Sequence, residues 1–412
     1  MGGEWQNKTL GELVALQRGH DLTESNRRFG SVPVMGSAGQ NGFHNKAIAE
    51  GPGVVIGRSG ASFGKVHYCP INYWPHNTVL YVTDFKGNEP RFAYYFLKGI
   101  DFSRYNSGSA QPSLNRNYIY SIPVAYPERK DQQAIACILG ALDDKIELNR
   151  RMNRTLADMA RAIFKSWFVD FDPVRAKAAG QQPPGLKPEI ADIFPDSFED
   201  SELGEIPKGW GVRPLPMVFE INPKRTLSKG TLAPYLDMAS MPTQGPLPNS
   251  WTMRNFGSGM KFINGDTLIA RITPCLENGK TAYVDFLSEG EVGWGSTEYI
   301  ILRPKDKIPT VFAYLLARTN EFRTFAIQQM TGSSGRQRVP ASSLEKLSIV
   351  CPEMNSPLYG LFGNFVSPMF DRIKAATLQS QTFSNLRDTL LPKLISGELR
   401  VPDAERIAGR CL

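Results

Sequence analysis

Hydrophobic and polar positions follow two patterns along this chain, and each pattern occurs twice. Residues 1–127 and 210–355 contain short β-branched or alternating runs between Gly- and Asn-rich loops, such as VVIG at 54–57 and EYIILR at 298–303. Such runs are typical of β-strands in a mixed domain. Each stretch is followed by a long segment with an apolar residue every three or four positions. The pattern therefore predicts an α+β protein in which two globular domains are each followed by a long helix.

The first long segment, residues 128–172, predicts one continuous helix over 128–168. Its apolar positions advance by about 3.5 residues per step, and Asn149 fills the one polar gap. The expected seam is Ile135, Ile138, Leu142, Ile146, Met152, Leu156, Met159, Ile163 and Trp167. At about 1.5 Å per residue the helix would be roughly 57 Å long, so we expect it to stand out from the domains as a spacer.

The second long segment, residues 356–400, repeats this pattern up to about residue 395. Its expected seam is Phe362, Val366, Met369, Ile373, Ala376, Phe383, Leu386, Leu390 and Leu394. Pro357 suits a first helical turn, whereas Pro368 predicts a kink. Because the two helices match in period and length, we expect them to pair as an antiparallel coiled coil with the domains at opposite ends.

Single residues also recur between the two halves. The distance between partners grows from 205 residues for Trp5 and Trp210 to 225 for Pro127 and Pro352, and it then changes by only two along the helices. The globular domains have therefore diverged in length, while the helices have stayed in step. This is what a molecule needs if two different domains are to be held at a fixed separation.

Composition adds limits on the class of protein. The hydrophobic share of 41% is ordinary for folded domains. The length of 412 residues is too great for a single hydrophobic core. Runs of about 18 apolar residues are lacking, so no membrane span is expected. The five cysteines and four histidines are scattered without a CxxC pair. We therefore expect a reduced, cytoplasmic protein without a metal site.

Charge separates one segment from the rest of the chain. Residues 173–209 form an acidic, Pro-rich stretch that predicts an interdomain linker, and residues 401–412 form a short tail. Residues 170–205 hold nine acids against three bases, so a net charge of +7 becomes +13 on the remainder. A basic folded body suits a polyanionic partner, although a merely basic protein is the plain alternative.

The segments of this sequence that resemble catalytic motifs lack residues that those motifs require. GKT at 279–281 resembles a phosphate-binding loop, but Pro274 stands where that loop requires Gly. An adenine methyltransferase would need a (D/N)PP(Y/F/W) tetrapeptide, and no segment provides one. We therefore expect no catalytic residues and no bound cofactor.

Candidate DNA-contacting residues come from loops that occur in both halves. Arg and Lys flank a Gly-containing loop in each domain, and a Gly-Ser loop with Gln or Arg precedes each long helix. Arg and Gln can read guanine and adenine edges, and flexible loops let the backbone approach phosphates. A polar surface turn is the alternative for one such loop, and its duplication favours binding. The candidates are Arg27, Arg28, Arg58, Ser59, Lys65, Ser107, Ser109, Gln111 and Arg116 in the first half, and Lys224, Arg225, Arg271, Lys280, Ser333, Arg336, Gln337 and Arg338 in the second.

Three longer segments make a family resemblance visible. IFKSWFVDFDPV at 163–174, LGEIPKGW at 203–210 and LRDTLLPKLISGEL at 386–399 look like the specificity subunits of type I restriction–modification systems, and GSAQPSLN at 108–115 resembles the end of the family's target recognition domains. The resemblance covers essentially the whole chain. It departs at 354–360, where the family commonly has a Glu- and Gln-rich helix start.

The resemblance implies a division of labour. Each globular domain would be a target recognition domain that reads half of a bipartite, asymmetric double-stranded DNA target, and the helices would set the unread gap. Two modification subunits would carry S-adenosylmethionine and methylate adenine, and ATP-dependent restriction subunits would cut. The alternatives are a coiled-coil scaffold that joins two protein-binding domains and, less in keeping with the failed motifs, an ATP- or S-adenosylmethionine-using enzyme.

Overall fold

The computed structural model describes residues 5–107, 112–248, 250–305, 307–333 and 335–409. The chain forms two compact units, which we call the first unit (Met1–Glu147 with Ser380–Leu412) and the second unit (Leu148–Gln379). Within the described ranges, no helix is long and apolar enough to cross a membrane.

The elements of the first half end with a long helix. The strands are β1 (Gln6–Thr9), β2 (Ala15–Arg18), β3 (Val32–Gly36), β4 (Gly39–His44), β5 (Gly53–Gly57), β6 (Val66–Cys69), β7 (Trp74–Pro75), β8 (Val79–Asp84) and β9 (Pro123–Tyr126). The helices are α1 (Leu10–Leu13), α2 (Pro90–Lys98), α3 (Arg116–Ile119) and α4 (Arg129–Phe168), with 3₁₀ turns at Glu24–Asn26, Gly60–Ser62 and Phe102–Tyr105.

The elements of the second half include the other long helix. The strands are β10 (Phe198–Ser201), β11 (Gly204–Pro207), β12 (Gly211–Pro214), β13 (Phe219–Ile221), β14 (Leu232–Leu236), β15 (Thr252–Asn255), β16 (Met260–Phe262), β17 (Thr267–Ala270), β18 (Thr281–Tyr283), β19 (Gly293–Gly295), β20 (Tyr299–Pro304) and β21 (Ser348–Cys351). The helices are α5 (Asp172–Ala178), α6 (Pro188–Ala191), α7 (Leu215–Val218), α8 (Val311–Ala317), α9 (Asn320–Gln328), α10 (Ala341–Leu344), α11 (Pro357–Ile395) and α12 (Val401–Gly409).

The sheets of the two units share one topology. The antiparallel order β2-β8-β5-β6 of the first unit returns as β13-β20-β17-β18 in the second, and the β1-β9 pair returns as β12-β21. In a further sheet, β3 pairs with β4 antiparallel and with β7 parallel, as β14 does with β15 and β19. The sequence repeat is therefore a repeat of the fold.

Short helices form where the local sequence favours them. α2 begins with Pro90 in its first turn, Glu89 accepts a hydrogen bond from the Phe92 amide, and Gly99 follows its last residue. Proline lacks the amide hydrogen that a first turn leaves unpaired, and a carboxylate before it caps the exposed amides. α8 is the corresponding short helix of the second half.

In the first unit, one end of each long helix packs into the core of the globular domain. Ile135, Leu139 and Leu142 of α4 lie in one buried cluster with Leu390 of α11 and Leu10 of α1. The expectation that the helices stand out along their whole length is therefore wrong for this segment. The physical reason is that Leu139 and Ala136 widen the apolar stripe beyond a two-position seam, so the helix buries more than one face.

A polar network joins the same helices to the domain. Asp143 of α4 accepts hydrogen bonds from the Arg387 guanidinium of α11 and from the Tyr95 hydroxyl of α2, each at 2.6 Å. Burial, followed by the charge of Asp143, raises the pKa of Tyr95 well above its usual range, so the hydroxyl remains a donor.

In the second unit, the other segments of the long helices pair antiparallel. Asn149 donates to the Ala376 carbonyl at 3.2 Å, while Phe164 contacts Phe362 with ring centroids 6.0 Å apart. Partner numbers on α11 fall as those on α4 rise, which is the antiparallel arrangement that the sequence predicts. Asn149 is buried and also donates to the Gln379 side chain at 2.9 Å. Such a buried amide fixes the register of a helix pair.

The seam of α4 departs from the prediction between Ile146 and Trp167, and Trp167 is buried as expected. Ala157, Ala160 and Phe164 are buried, whereas Met159 is 47% exposed. The facing positions continue through Asn149 and Asn153, and Asn153 donates to the Thr377 hydroxyl at 3.1 Å. Because amides and alanines carry little apolar signal, the sequence pattern favoured the methionines one position earlier. The helix α11 continues without a break through Pro368.

The stretch predicted as a linker is folded against the second unit. Residues 173–209 contain α6 and the β10-β11 hairpin, and Val174, Phe194 and Ile206 are buried. Trp167 and Phe194 meet edge to face with centroids 5.1 Å apart. Composition predicted an interdomain linker because prolines and acids dominate the stretch, but its sparse apolar residues suffice to anchor it.

The predicted tail is also structured, since it contains α12. Ala404 and Ala408 of α12 are buried in the core of the first unit. Trp5 lies against Gly397, where a side chain would collide with the indole ring. Residues from both 1–147 and 380–412 therefore build the first unit.

Candidate nucleic-acid interface

In the first unit, the loop after β5 and the loop before α3 are joined by backbone hydrogen bonds. The Leu114 amide donates to the Arg58 carbonyl at 2.9 Å, and Ser59 and Ser113 form an isolated bridge. Ser107 donates to the Ser113 carbonyl from its amide at 2.9 Å and from its hydroxyl at 2.8 Å. Of the predicted residues, Arg58, Ser59 and Ser107 are thus brought together. Ser109 and Gln111 lie outside the described residues.

These loops border an open cleft of about 770 Å³, which we call the first-unit cleft. Its walls carry three arginines, one histidine and one aspartate, so cationic groups prevail. The lining residues are Gln17, Arg18, Gly19, His20, Asp21, Arg58, Leu80, Ser107, Ser113, Leu114, Asn115 and Arg116. The Arg116 guanidinium is held by the Leu16 carbonyl at 3.0 Å. A basic, polar, open cleft of this kind suits phosphates and base edges.

Lys65 is exposed beside this loop pair, next to β6. His67, two residues further on, is hydrogen-bonded to the Ser37 carbonyl at 3.1 Å. Burial lowers the pKa of His67, which keeps the ring neutral near Lys65. The exposed positive charge at this position therefore comes from the lysine.

The second unit repeats the backbone hydrogen bond that joins its two loops. The Val339 amide donates to the Arg271 carbonyl at 2.9 Å, as Leu114 does to Arg58 in the first unit. Thr331 and Arg338 exchange two backbone hydrogen bonds of 2.9 Å each. Ser333 and Arg336 are exposed on this loop, and the Gln337 carbonyl accepts from the Thr273 amide at 3.0 Å.

The side chains on this shared backbone differ between the units. Arg338 donates through Nε to both oxygens of Glu298, at 2.8 and 3.0 Å. The corresponding positions of the first unit carry Ser113 and Thr78, as the pairing of β5 with β8 and of β17 with β20 shows. The two loops therefore offer different donors and acceptors from the same place in the fold.

Lys280 differs from its counterpart Lys65. Its ammonium donates to the Met238 carbonyl at 2.5 Å, so it is partly committed to the fold. Two arginines that sequence reasoning missed hold the loop that precedes it: Arg318 donates to the Gly279 carbonyl at 2.6 Å and Arg323 to the Glu277 carbonyl at 2.8 Å. Burial lowers the pKa of Arg318.

The remaining basic candidates differ in how far the fold already uses their charge. Arg225 pairs with the fully buried Asp266 at 3.3 Å, and Arg303 pairs with the same carboxylate at 2.7 Å. Arg225 is therefore a structural residue, because a buried carboxylate needs cationic partners. Lys224 and Arg28 are exposed, while Arg27 donates to the Asn41 carbonyl at 2.7 Å.

The residues missed in the first-unit cleft are Arg18, His20 and Asp21. They follow β2 directly, and the 205-residue offset of Trp5 and Trp210 aligns His20 with Arg225, which the sequence did single out. That offset was the available signal. In the part of the chain that the structure describes, no group of three or more His, Cys, Asp or Glu side chains could hold a metal ion.

Comparisons with known proteins point to one family of DNA-specificity proteins. Residues 2–157 match the family model described as the type I restriction modification DNA specificity domain. The chain is 25% identical over 361 residues to the type I restriction enzyme HindI specificity subunit of Haemophilus influenzae, covering 75% of this chain and 77% of that one. It is also 25% identical over 337 residues to the MjaIX specificity subunit of Methanocaldococcus jannaschii, covering 76% and 69%.

A solved structure shares the fold. The crystal structure of the type I restriction–modification system S subunit from M. genitalium aligns with a TM-score of 0.60, at 16% sequence identity. The alignment covers 95% of this chain and 96% of that one. The likeness therefore extends over both β-rich units and both long helices.

Proposed function

We propose how this chain, a DNA sequence-specificity subunit of a type I restriction–modification system, recognises its target: each unit reads one half of a bipartite sequence, and the long helices set the gap. The single observation that carries the proposal is the loop pair joined by the Arg58–Leu114 hydrogen bond, which recurs as Arg271–Val339. The same backbone arrangement of two loops occurs in both units, and each unit carries different side chains on it.

The difference between the frames supports an asymmetric target. Glu298 and Arg338 stand where the first unit has Thr78 and Ser113. A carboxylate accepts from the cytosine amino group and a guanidinium donates to guanine, whereas hydroxyl groups discriminate less. Two units with such different groups are expected to read different half-sites.

The long helices support the spacer role. α4 and α11 have 40 and 39 residues, so each is about 60 Å long at about 1.5 Å per residue. They pair antiparallel, with Asn149 fixing their register. A pair of that length is stiff enough to define a distance along a duplex.

The chain is the non-catalytic component and a subunit of a type I restriction–modification complex. We propose that its partners are two modification subunits that bind S-adenosylmethionine, together with ATP-dependent restriction subunits. Adenine methylation and DNA cleavage would then reside in those partners. Since methylation by the modification subunits would act on the cell's DNA, we propose that the complex works in the cytoplasm.

The test is DNA binding with and without the cognate methyltransferase subunit. Methylome sequencing of cells that carry both proteins identifies the target, and duplexes with that target or a random sequence are then titrated against salt. We expect a steep salt dependence on both duplexes and at least a thousandfold preference for the target, roughly the usual range for specific binding. A shallow salt dependence and equal affinities would favour the scaffold alternative.

Replacing Arg338 tests the reading role of one unit. Arg338→Ala is expected to relax the preference at one position of one half-site by about 10- to 100-fold, because a lost guanine contact costs about 1–3 kcal/mol. Selection from a randomised duplex pool measures this, with the exposed Arg372→Ala on α11 as the control. Equal weakening on every sequence would instead make Arg338 a phosphate contact.

A further inference from the structure

One loop of the first unit presents a fully exposed aromatic ring. Phe29 has a relative exposure of 105%, so its ring is as accessible as in an extended peptide. It lies in the loop between β2 and β3, shortly after Arg18, His20 and Asp21 of the first-unit cleft. The ring is therefore accessible to another molecule, and its surroundings decide which kind would fit.

The backbone under this ring is fixed in place. The amide of Arg28 donates to Nδ1 of the buried His44 at 3.1 Å, and the Arg27 guanidinium donates to the Asn41 carbonyl at 2.7 Å. Gly30 passes so close to the His44–Asn45 backbone that no side chain would fit there. The loop therefore holds Phe29 outward on a rigid support.

A row of rings links this support to the first-unit cleft. His20 lines the cleft, its ring centroid lies 6.4 Å from that of Trp74, and the Trp74 centroid lies 5.2 Å from that of His44. His44 in turn holds Arg28, the neighbour of Phe29. The rings therefore form one connected support between the cleft and the loop that carries Phe29.

The surroundings of the ring are basic. Arg28 is exposed immediately before it, and Lys46 is exposed next to Asn45, against which Gly30 packs. The one acid of residues 22–31 is Glu24. An apolar ring framed by cations complements a stacked base step between two phosphates, whereas a purely apolar protein surface would not require those charges.

In the second unit, the position that corresponds to Phe29 carries no ring. The matched pairing of β3 with β7 and of β14 with β19 aligns Val34 with Tyr235, which places Gly230 at the position of Phe29. Gly230 faces open space. A wedge would therefore act on one half-site alone.

We propose that Phe29 inserts between two base pairs at the edge of the half-site read by the first unit and partly unstacks that step, with Arg28 and Lys46 on the flanking phosphates. Apolar wedges of this kind unstack single steps in duplex DNA, and the stacking contact is itself favourable. The inference rests on the proposed function and adds to it the shape of the DNA that the first unit selects.

The experiment places 2-aminopurine at each position of the target duplex in turn and records its fluorescence with the full chain and its cognate methyltransferase subunit. We expect a several-fold rise at one step near the first half-site. Phe29→Ala should abolish that rise and weaken target binding about tenfold. Phe29→Leu keeps an apolar wedge and should therefore retain both the fluorescence rise and the wild-type affinity for the target. Phe43→Ala is the control, since Phe43 is 53% exposed on β4 of the same unit.

The outcomes separate this inference from the function on which it rests. If wild type and Phe29→Ala give the same fluorescence at every position while the target is still preferred, the inference about Phe29 is overturned and the proposed function stands. Loss of subunit assembly in Phe29→Ala, with unchanged fluorescence, would make Phe29 a protein contact and also overturn it. Absence of any target preference in the wild type would overturn both.

Discussion

Inserting one heptad into each long helix is expected to lengthen the unread spacer by about three base pairs and to leave both half-site sequences unchanged. The insertions go between Glu147 and Leu148 and between Gln379 and Ser380, where the two units divide. Seven residues add about 10.5 Å and turn the helix by about 20° less than two full turns, so the facing residues stay nearly in phase. Three base pairs of duplex cover about the same distance.

Methylome sequencing of cells carrying the variant and its methyltransferase measures both half-sites and the gap. We expect the original spacing to lose at least about a hundredfold in affinity, since only one half-site can then be engaged. A seven-residue insertion at the exposed Gly290 turn of the second unit serves as the control. It should change neither the half-site sequences nor the length of the gap. Altered half-site letters in the helix variant would contradict the division of labour between units and helices.

Phe362→Ala is expected to cost the second unit about 3–5 kcal/mol of folding free energy, the usual range for truncating a buried phenylalanine. Phe362 is fully buried on α11, and its ring lies between 5.1 and 6.0 Å from those of Phe164, Trp167, Phe168 and Phe312. The substitution therefore opens a cavity where α4, α8 and α11 meet. For a unit of this size the thermal midpoint should fall by roughly 10 °C.

Phe365→Ala is the matched control, because Phe365 lies nearly one turn away on the same helix and is 37% exposed. Its loss should cost less, about 1–2 kcal/mol, since 37% of Phe365 already faces solvent. Calorimetry of both variants makes the comparison. Equal midpoints for the two would show that the packing of α11 contributes little to the stability of the second unit.

The hydrophobic pattern predicted the elements well, because strands and helices depend mainly on local periodicity. The repeat also predicted that the halves share a fold, and the sheet orders agree. The register of α4 beyond Ile146 was missed, because Asn153, Ala157 and Ala160 face α11 without a strong apolar signal. Burial of residues 173–209 was missed for a related reason: a few anchors such as Phe194 outweigh an acidic, Pro-rich composition.

The sequence predicted which loops form the candidate site, but it did not predict the hydrogen-bond partners of their side chains. Duplicated loops pointed to Arg58 and Arg271, and the structure gives both the same backbone bond. The partners of Arg225, Lys280 and Arg338 come from residues 41, 42 and 40 positions away, so no local pattern could reveal them. Arg18 and His20 were overlooked because no motif marks them, although the repeat offset aligns His20 with Arg225.

The composite make-up of the first unit has a consequence for synthesis on the ribosome. The second unit is one contiguous stretch of chain and can close as soon as it has emerged from the exit tunnel. The first unit needs residues 380–412, so its earlier-made part must wait with Leu139 and Leu142 uncovered until Leu390 arrives. The order of folding is thereby reversed relative to the order of translation, and the nascent first half is the natural client of chaperones.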